Sequence, residues 1–392
     1  MPGYEIIGEE ELKNIQEIFS QSSGVLFAHG FPNQRGGRYR VREFEKQLAE
    51  NFSSEYCQVV SSRTAAEFVA LKAMGIQPGD EVITQAFTFV ATIEGIIECG
   101  ATPIVVDIDE TLNMCPIALE KAITSKTKCI IPVYMLGNPA RMDEIMKISS
   151  KYNIPVMEDA CEALGATYKN KSVGTIGHCG IFSLDFGKTI TTGEGGFILT
   201  QNSELYNLMA EYHDHGHQNL QNVSRGCDTA RISGFNFRMT EMQAAVGSAQ
   251  LLKLSYILQK NRANKRRLKS NLTESISNSV EFREIISPEG ELADTLMLFL
   301  PNAGTAAKVV ALLKEDGIGT KNVPDAMNWH FSKNWHHIWK FHPIYKDCYQ
   351  EIWRKSDNLL SKCISIPIMV KSFESEIDLV SDKIIKAIRN FI

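Results

Sequence analysis

Short apolar runs alternate with helical patterns along the first half of the chain, and this alternation constrains the fold more than any other feature. Many runs are apolar on both faces, as in a sheet buried between two helix layers. Strand–helix–strand alternation therefore predicts a mostly parallel sheet. The predicted strands are "YCQVV" (56–60), "EVITQ" (81–85), "PIVVD" (103–107), "KCIIPVY" (128–134), "IPVME" (154–158), "CGIFSL" (179–184) and "GFILT" (196–200).

The spacing of the runs predicts how the chain is organised. The last two runs are too close for a crossover helix, so we expect an antiparallel pair there. A long helical stretch from about Thr240 is expected to link a large domain (residues 1–250) to a smaller C-terminal α/β domain (residues 251–392). Between the strands, helices are predicted at 64–74, 90–99, 116–124 and 141–152.

Composition and charge disfavour several classes of protein. A formal net charge of −5 over 392 residues argues against binding to nucleic acid or to an anionic membrane. The first residues lack the basic segment of a signal peptide, and the most apolar stretch (86–106) is interrupted by charges, glycines and a proline. Nine dispersed cysteines without a C-x-x-C pair indicate reduced thiols. We therefore expect a cytoplasmic protein without a membrane segment or a nucleic-acid partner.

The stretch "VVSSRTAAEFVALKAMG" places hydroxyl groups where a strand ends and a helix begins near Thr64. Free backbone N–H groups at a helix N-terminus attract anions, so a phosphate group could bind there. Ser62 could instead be a simple N-cap of the helix. The residues alone leave both interpretations open.

Asp159 directly follows an apolar strand in "IPVMEDACEALGA". The carboxyl ends of central strands are where open α/β sheets bind ligands. A carboxylate there could pair with a protonated pyridine nitrogen and make that ring an electron sink. The alternative is an N-cap for a following helix.

Lys188 lies between an apolar strand and a glycine-rich turn in "FSLDFGKTITTGEGG" (182–196). A partly desolvated lysine near other cations has a depressed pKa and attacks aldehydes. Ser183, five positions earlier, could add a hydroxyl group to the phosphate site. A phosphate anchor, a strand-end acid and a nucleophilic lysine together match the needs of pyridoxal phosphate (PLP).

The chain resembles the DegT/DnrJ/EryC1/StrS group of sugar aminotransferases, within the fold type I PLP enzymes. The resemblance covers nearly the whole chain. It implies an α/β, fold type I transferase whose large domain has a mostly parallel seven-stranded sheet. Four stretches carry it: "SSRTAAEFVALKAMGIQPGDEVITQAFTFVATIEGIIECGATPIVVDID", "EDACEALGA", "FSLDFGKTITTGEGGFILT" and "GFNFRMTEMQAAVGSAQLLKL".

The resemblance implies roles for individual residues. Lys188 would bind PLP as a Schiff base, and Asp159 would pair with the pyridine nitrogen. These two residues would be catalytic. Further residues would contact the phosphate group of PLP, the face of its ring and its phenolic oxygen. The cofactor-binding residues implied, besides these two, are Thr64, Ala65, Phe89, Glu162, Ser183 and Asn236.

Two further segments have implied roles. Asn236 and Arg238 in "GFNFRMTE" correspond to a segment that reaches the neighbouring subunit, which implies a homodimer with shared active sites. His330 lies in the Trp- and His-rich segment 327–343, where the resemblance places the substrate-side loop. The alternating histidines of "YHDHGH" (212–217) have a spacing that could bind metal, but the resemblance explains them as a turn, and no metal site is expected.

Three positions depart from the pattern of the group. Arg63 replaces a small residue, Glu162 replaces glutamine or histidine, and Asp185 replaces a frequent histidine. Arg63 could place a cation in the substrate pocket, because arginine forms bidentate pairs with carboxylates. Alternatively, it could pair with Glu67 one helical turn away.

The implied reaction is transfer of an amino group from L-glutamate to a keto or aldehydo sugar. The favoured acceptor is the C8-oxidised form of the lipopolysaccharide sugar acid Kdo, which would become 8-amino-Kdo. The alternative acceptor is a nucleotide-linked 4-keto sugar, as in perosamine synthesis. A dehydratase of the group would have histidine in place of Lys188, and a non-catalytic regulator with this fold would not need the lysine.

Overall fold

A computed structural model describes residues 2–220 and 223–392 of the chain. Each of the four helices predicted between strands starts within one residue of the first residue of an observed helix. Within the described ranges, the strands are β1 (Tyr56–Val60), β2 (Glu81–Gln85), β3 (Thr102–Val106), β4 (Thr127–Ile130), β5 (Met157–Asp159), β6 (Thr167–Tyr168), β7 (Lys171–Ser172), β8 (Cys179–Ser183), β9 (Gly196–Thr200), β10 (Glu281–Phe282), β11 (Thr295–Phe299) and β12 (Cys363–Pro367). The helices are α1 (Pro2–Glu5), α2 (Glu9–Gln21), α3 (Arg40–Phe52), α4 (Arg63–Ala73), α5 (Ala91–Glu98), α6 (Pro116–Ala122), α7 (Met142–Tyr152), α8 (Ser203–Tyr212), α9 (Glu241–Ile276), α10 (Ala303–Glu315), α11 (Met327–His330), α12 (His336–Trp339), α13 (Arg354–Ser361) and α14 (Glu374–Arg389).

The central sheet has the strand order β3-β2-β4-β5-β8-β9-β1. β2 pairs in parallel with β3 and β4, and β5 pairs in parallel with β8. Parallel bridges Ile130–Val156 and Val133–Asp159 join the two halves of the sheet. β9 runs antiparallel to both β8 and β1, which confirms the predicted antiparallel pair. The sheet is therefore mostly parallel, as expected.

Two predicted strands differ from the observed ones because prolines interrupt them. The run 128–134 was expected to be one strand, but β4 ends at Ile130, shortly before Pro132. The run 154–158 contains Pro155, and β5 starts only at Met157. A proline has no N–H to donate to a neighbouring strand. Both prolines still accept hydrogen bonds through their carbonyl groups, which keeps the two segments side by side.

Helices cover both faces of the sheet, so its strands are buried on both sides. Ile181 and Phe182 are consecutive in β8 and belong to different apolar cores. Because successive side chains of a strand point to opposite faces, the two cores lie on opposite sides of the sheet. This double burial explains the continuous apolar runs of the sequence.

The residues that follow the Trp- and His-rich segment, up to Trp353, cover the free edge of β3. Tyr345 Oη accepts a hydrogen bond from Val105 N at 2.8 Å, and Trp353 Nε1 donates to Val105 O at 2.8 Å. Trp335 and Trp339 are fully buried next to them. An uncovered edge strand exposes backbone groups that pair with other chains. Most aromatic residues of this region therefore serve the core, and the substrate-side role stays a prediction for His330.

The C-terminal part contains an antiparallel sheet of β10, β11 and β12. Its apolar core includes Leu268, Leu272 and Ile276 from the second half of α9. The boundary predicted at residue 250 falls inside this long helix and stays a prediction. Among residues 2–220 and 223–392, no helix is both long and apolar enough to cross a membrane.

Replacing Tyr345 with Phe is expected to lower the free energy of unfolding by about 1–3 kcal/mol, because the buried Val105 amide loses its acceptor. Urea unfolding followed by circular dichroism measures this change. Tyr152→Phe is the control, since its exposed hydroxyl lies 3.3 Å from Glu120. We expect the control to change stability by less than about 0.5 kcal/mol. An equal loss in both variants would contradict the role of Tyr345 at the sheet edge.

Candidate active site

A cavity of about 340 Å³ lies at the carboxyl ends of β5 and β8. Side chains that follow parallel strands meet at one edge of a sheet, which is where open α/β folds bind ligands. The cavity brings together most of the residues predicted from the sequence. Those that line it are Arg63, Thr64, Phe89, Asp159, Glu162, Ser183, Lys188 and His330.

The other predicted residues lie elsewhere in the same chain. Ala65 does not line the cavity, and its amide donates to Ser62 Oγ at 3.1 Å. Asn236 forms an antiparallel bridge with Asp214, and Arg238 donates to Asp214 Oδ1 at 2.5 Å. Asn236 and Arg238 therefore lie outside the pocket of their own chain. A contact with a neighbouring subunit's pocket stays a prediction.

Backbone hydrogen bonds fix Lys188 in the turn between β8 and β9. Its amide donates to Asp185 O at 3.0 Å, and its carbonyl accepts from Gly3 N at 3.1 Å. A Cβ at position 3 would lie 2.7 Å from the Lys188 carbonyl oxygen, so only glycine allows this close approach. The N-terminal helix α1 thus supports the turn that carries the lysine.

Carboxylates, rather than cations, surround the Lys188 amine. Its Nζ lies 3.6 Å from Glu162 Oε1. Burial lowers the pKa of Lys188, but the negative charges of Glu162, the largest contributor, and of Asp185 and Asp159 help to outweigh burial and raise it. The expectation of a depressed pKa is therefore wrong for the chain without its cofactor. The carboxylate of Glu162 is the main charge responsible.

Glu162 connects the lysine to both halves of the chain. Its Oε2 accepts from Leu136 N at 3.0 Å, and its Oε1 accepts from Asn322 Nδ2 at 3.2 Å. Burial raises the pKa of Glu162, but the charges of Lys188, Lys321 and His330 lower it to about 2. The side chain is therefore ionised, and it holds the Lys188 amine in place.

Asp159 is 2% exposed and is the last residue of β5. Its Oδ2 accepts hydrogen bonds from the Arg63 guanidinium and from Thr92 Oγ1, the latter at 3.2 Å. Among the described residues, its Oδ1 accepts only a long bond from Cys161 N at 3.3 Å. Turns rather than a helix follow Asp159, so it is not a helix N-cap.

Arg63 is buried at the start of α4 and forms ion pairs with Glu67 and Asp159. The pairing with Glu67 is the alternative that the spacing within the helix predicted. Burial lowers the pKa of Arg63, but Asp159 and Glu67 raise it further, so the guanidinium is charged. A direct contact of Arg63 with substrate stays a prediction.

The N-terminus of α4 is compatible with both interpretations of the hydroxyl-rich segment, an N-cap and a phosphate site. Ser62 caps the helix by accepting a hydrogen bond from the Ala65 amide. Ser62 and Thr64 also line the cavity, as does Ser183 at the end of β8. The helix has 11 residues, and anions bind at the free N–H groups of such a terminus. Capping and phosphate binding are therefore compatible here.

Phe89 and His330 form one wall of the cavity. Their ring centroids are 5.3 Å apart, and Phe89 is 44% exposed, so its ring is free to contact a ligand. The amide of Thr88 donates to His330 O at 3.0 Å, which attaches the C-terminal segment to this wall. Burial lowers the pKa of His330, although Glu162 opposes this effect.

Sequence reasoning missed Thr92 and Asn322. Thr92 lies at the start of α5, four residues after Thr88 in "FTFVATIEG", and a hydroxyl residue at a helix start was the available signal. The two hydroxyl groups lie 2.8 Å apart. Asn322 lies far from the other site residues in sequence, and no local pattern marked it. Among the described residues, no group of His, Cys, Asp and Glu could hold a metal ion.

These residues fit PLP. Lys188 offers an amine, Asp159 retains an acceptor oxygen, Phe89 offers an exposed ring, and the start of α4 offers free N–H groups. A mostly parallel sheet with these groups at its carboxyl edge defines a fold type I PLP-dependent protein.

The profile of the DegT/DnrJ/EryC1/StrS aminotransferase family matches residues 26–385. The chain belongs to this family. Family members depend on PLP, in agreement with the predicted cofactor. A GDP-perosamine synthase of Caulobacter vibrioides is 42% identical over 221 residues, which cover 55% of this chain and 57% of that protein. The match therefore spans just over half the length of this curated relative.

Solved structures match over a longer part of the chain. An aminotransferase from Psychrobacter cryohalolentis superposes with a TM-score of 0.87 at 26% identity, and the match covers 98% of both chains. NtdA from Bacillus subtilis, solved with bound cofactor PMP, has a TM-score of 0.83 at 26% identity, with 98% of this chain and 83% of that chain covered. The expected fold type I architecture is confirmed.

Replacing Glu162 with Gln in the cofactor-free protein is expected to lower the free energy of unfolding at neutral pH by about 3 kcal/mol. The folded-state pKa of about 2 lies below the ordinary value of 4.5, so the stabilisation is complete above pH 4.5 and is lost as the pH falls towards 2. Urea unfolding across this range should show the two proteins converging. Exposed Glu98→Gln is the control, and a difference that does not depend on pH would contradict the assignment.

Proposed function

We propose that this chain is a PLP-dependent aminotransferase that moves an amino group from L-glutamate to a keto or aldehydo sugar. The observation that carries the proposal is that Lys188 and Asp159 line one cavity at the carboxyl edge of the sheet. Membership of an aminotransferase family supports it. A non-catalytic regulator with this fold would need neither residue.

The residues of the chain have distinct roles in this reaction. PLP, when bound, supplies an aldehyde for amines and a ring that accepts an electron pair. Lys188 holds the cofactor, and once displaced it moves a proton from the α-carbon of the donor as base and then acid. Asp159 stabilises positive charge on the ring nitrogen. Glu162 keeps the lysine amine inside the site.

Two acceptor classes remain in the proposal. The sequence resemblance favours the C8-oxidised form of Kdo, which would make the product 8-amino-Kdo for lipopolysaccharide. The name of the Caulobacter relative favours a nucleotide-linked 4-keto sugar. The Arg63 guanidinium is already paired with two carboxylates, so it adds no support for recognition of a sugar acid.

The working protein is proposed to be a cytoplasmic homodimer with shared active sites. Asn236 and Arg238 lie outside the pocket of their own chain. Arg238 instead lines a separate cavity of about 810 Å³ next to β1 and α3. Residues that serve a neighbouring subunit's site would lie outside their own pocket in this way, which supports the proposed sharing.

Lys188→Ala is expected to abolish turnover while the fold persists, because the protein loses its only proposed proton carrier. Wild-type protein loaded with PLP should be yellow and should bleach with L-glutamate. In a separate sample without glutamate, borohydride should link PLP covalently to the peptide that contains Lys188, as read by mass spectrometry. Circular dichroism checks the fold of the variant. Labelling at another lysine would contradict the assignment.

The acceptor is tested by a side-by-side assay with glutamate as donor. Oxidised Kdo carrying an 8-aldehyde and a GDP-linked 4-keto sugar are supplied at equal concentration, and amino sugars are measured by mass spectrometry. The proposal expects amination of one of these two acceptors. Efficient amination of Kdo alone would select the sugar acid, and amination of the GDP-sugar alone would reject it. No amination of either would contradict the proposed acceptor classes.

A further inference from the structure

Asp159 is connected to a buried ion-pair cluster that the proposed reaction does not use directly. Arg63 donates to the carboxylates of Asp159 and Glu67 and, at 2.8 Å, to Thr92 Oγ1. Thr92 Oγ1 in turn lies 3.2 Å from Asp159 Oδ2. Arg63 lines the cavity, whereas Glu67 does not, so the cluster extends from the cavity wall into the protein.

Glu67 is an unusual residue for its position. It is fully buried, and among the described residues its Oε1 has no hydrogen-bond partner. Gly95 in α5 makes room for it, because a Cβ there would lie 2.7 Å from Glu67 Cδ. Glycine inside a helix costs about 1 kcal/mol relative to alanine. The chain therefore keeps a weak helix position next to a buried acid that has one unbonded oxygen.

The cluster holds two carboxyl groups, those of Asp159 and Glu67, and one guanidinium group, that of Arg63. Burial raises the pKa of Glu67 to about 8, against the opposing charge of Arg63, so Glu67 is fully charged only above that pH. Above it, a cation beside Asp159 would balance the second carboxylate. Asp159 Oδ2 accepts from Arg63 and Thr92, whereas Oδ1 accepts, among the described residues, only the long bond from Cys161 N at 3.3 Å.

We propose that Arg63 and Glu67 are positioning residues that hold Asp159 oriented, with Oδ1 presented to the protonated ring nitrogen of the cofactor. Arg63 donates to Oδ2 and places a positive charge beside this buried carboxylate. Glu67 accepts a hydrogen bond from the other terminal nitrogen of the Arg63 guanidinium, Nη1. The positive charge of Arg63 is therefore shared between two carboxylates and neutralises Asp159 only in part. This inference rests on the proposed function, and it assigns to Arg63 a role behind the cofactor rather than at the acceptor.

The test measures the affinity of the cofactor-free protein for PLP by absorbance titration at pH 9, above the pKa of Glu67. Arg63→Met removes the charge and keeps the length of the side chain, and Glu67→Gln keeps the shape. Each is expected to weaken PLP binding by about tenfold or more, the usual effect of losing a charge-assisted hydrogen bond. The double variant should be no weaker than Arg63→Met alone, because both residues act through Asp159. Arg63→Lys, which keeps the charge, should recover part of the affinity.

Glu291→Gln is the matched control. Glu291 pairs with Lys265 at α9, outside the cavity lining, so the same substitution breaks a buried ion pair without touching Asp159. It should leave PLP affinity unchanged. Unchanged or tighter binding in both Arg63→Met and Glu67→Gln would overturn the inference. If circular dichroism shows Arg63→Met unfolded, Glu67→Gln decides alone, and unchanged or tighter PLP binding in that variant overturns the inference.

Borohydride labelling of wild-type protein separates this inference from the proposed function. Wild-type protein that binds PLP at Lys188, with variants that bind equally well, would overturn the inference and leave the function standing. Wild-type protein that does not bind PLP would overturn both. Binding at Lys188 that weakens in the two variants, but not in Glu291→Gln, supports the inference.

Discussion

The parallel pairing of β5 with its neighbours determines where chemistry is possible in this chain. Asp159 ends β5, its amide donates to Pro132 O at 2.9 Å, and its carbonyl accepts from Tyr134 N at 3.0 Å. On its other side, β5 pairs with β8, so the carboxylate lies near the end of β8. Ser183 is the last residue of β8, and Lys188 follows five residues later. A slip of one residue would turn the Asp159 side chain to the other face of the sheet. The site therefore depends on the register of a three-residue strand.

Electrostatic pairing then gives each reactive group a partner before a ligand arrives. Lys188 faces Glu162, and Asp159 faces Arg63. Buried charges require such partners, because an isolated one would change its protonation state. In both pairs, one member, Glu162 or Arg63, is a residue that the resemblance marks as a departure from the pattern of the group. In the structure, both side chains are paired with residues of the proposed cofactor site.

Local patterns could be read from the sequence, and contacts between distant segments could not. β1, β2 and β9 match their predicted runs, and the Arg63–Glu67 pair follows from helical spacing. The second partner of Arg63 lies 96 residues away and had no local signal. The raised pKa of Lys188 was missed for the same reason, since it depends on how Glu162 is oriented in the fold. The packing of Trp353 against β3 joins residues 248 apart, so the aromatic segment could not be recognised as an edge cover.

The protonation state of the ring nitrogen in bound cofactor tests the central claim most directly, which is that Asp159 at the end of β5 stabilises a ring cation. Nuclear magnetic resonance of the protein loaded with ¹⁵N-labelled PLP reports this state through the chemical shift of that nitrogen. The account predicts a protonated nitrogen in the wild-type protein and a neutral one in Asp159→Asn. A neutral ring nitrogen in the wild-type protein, or a protonated one in the variant, would contradict it.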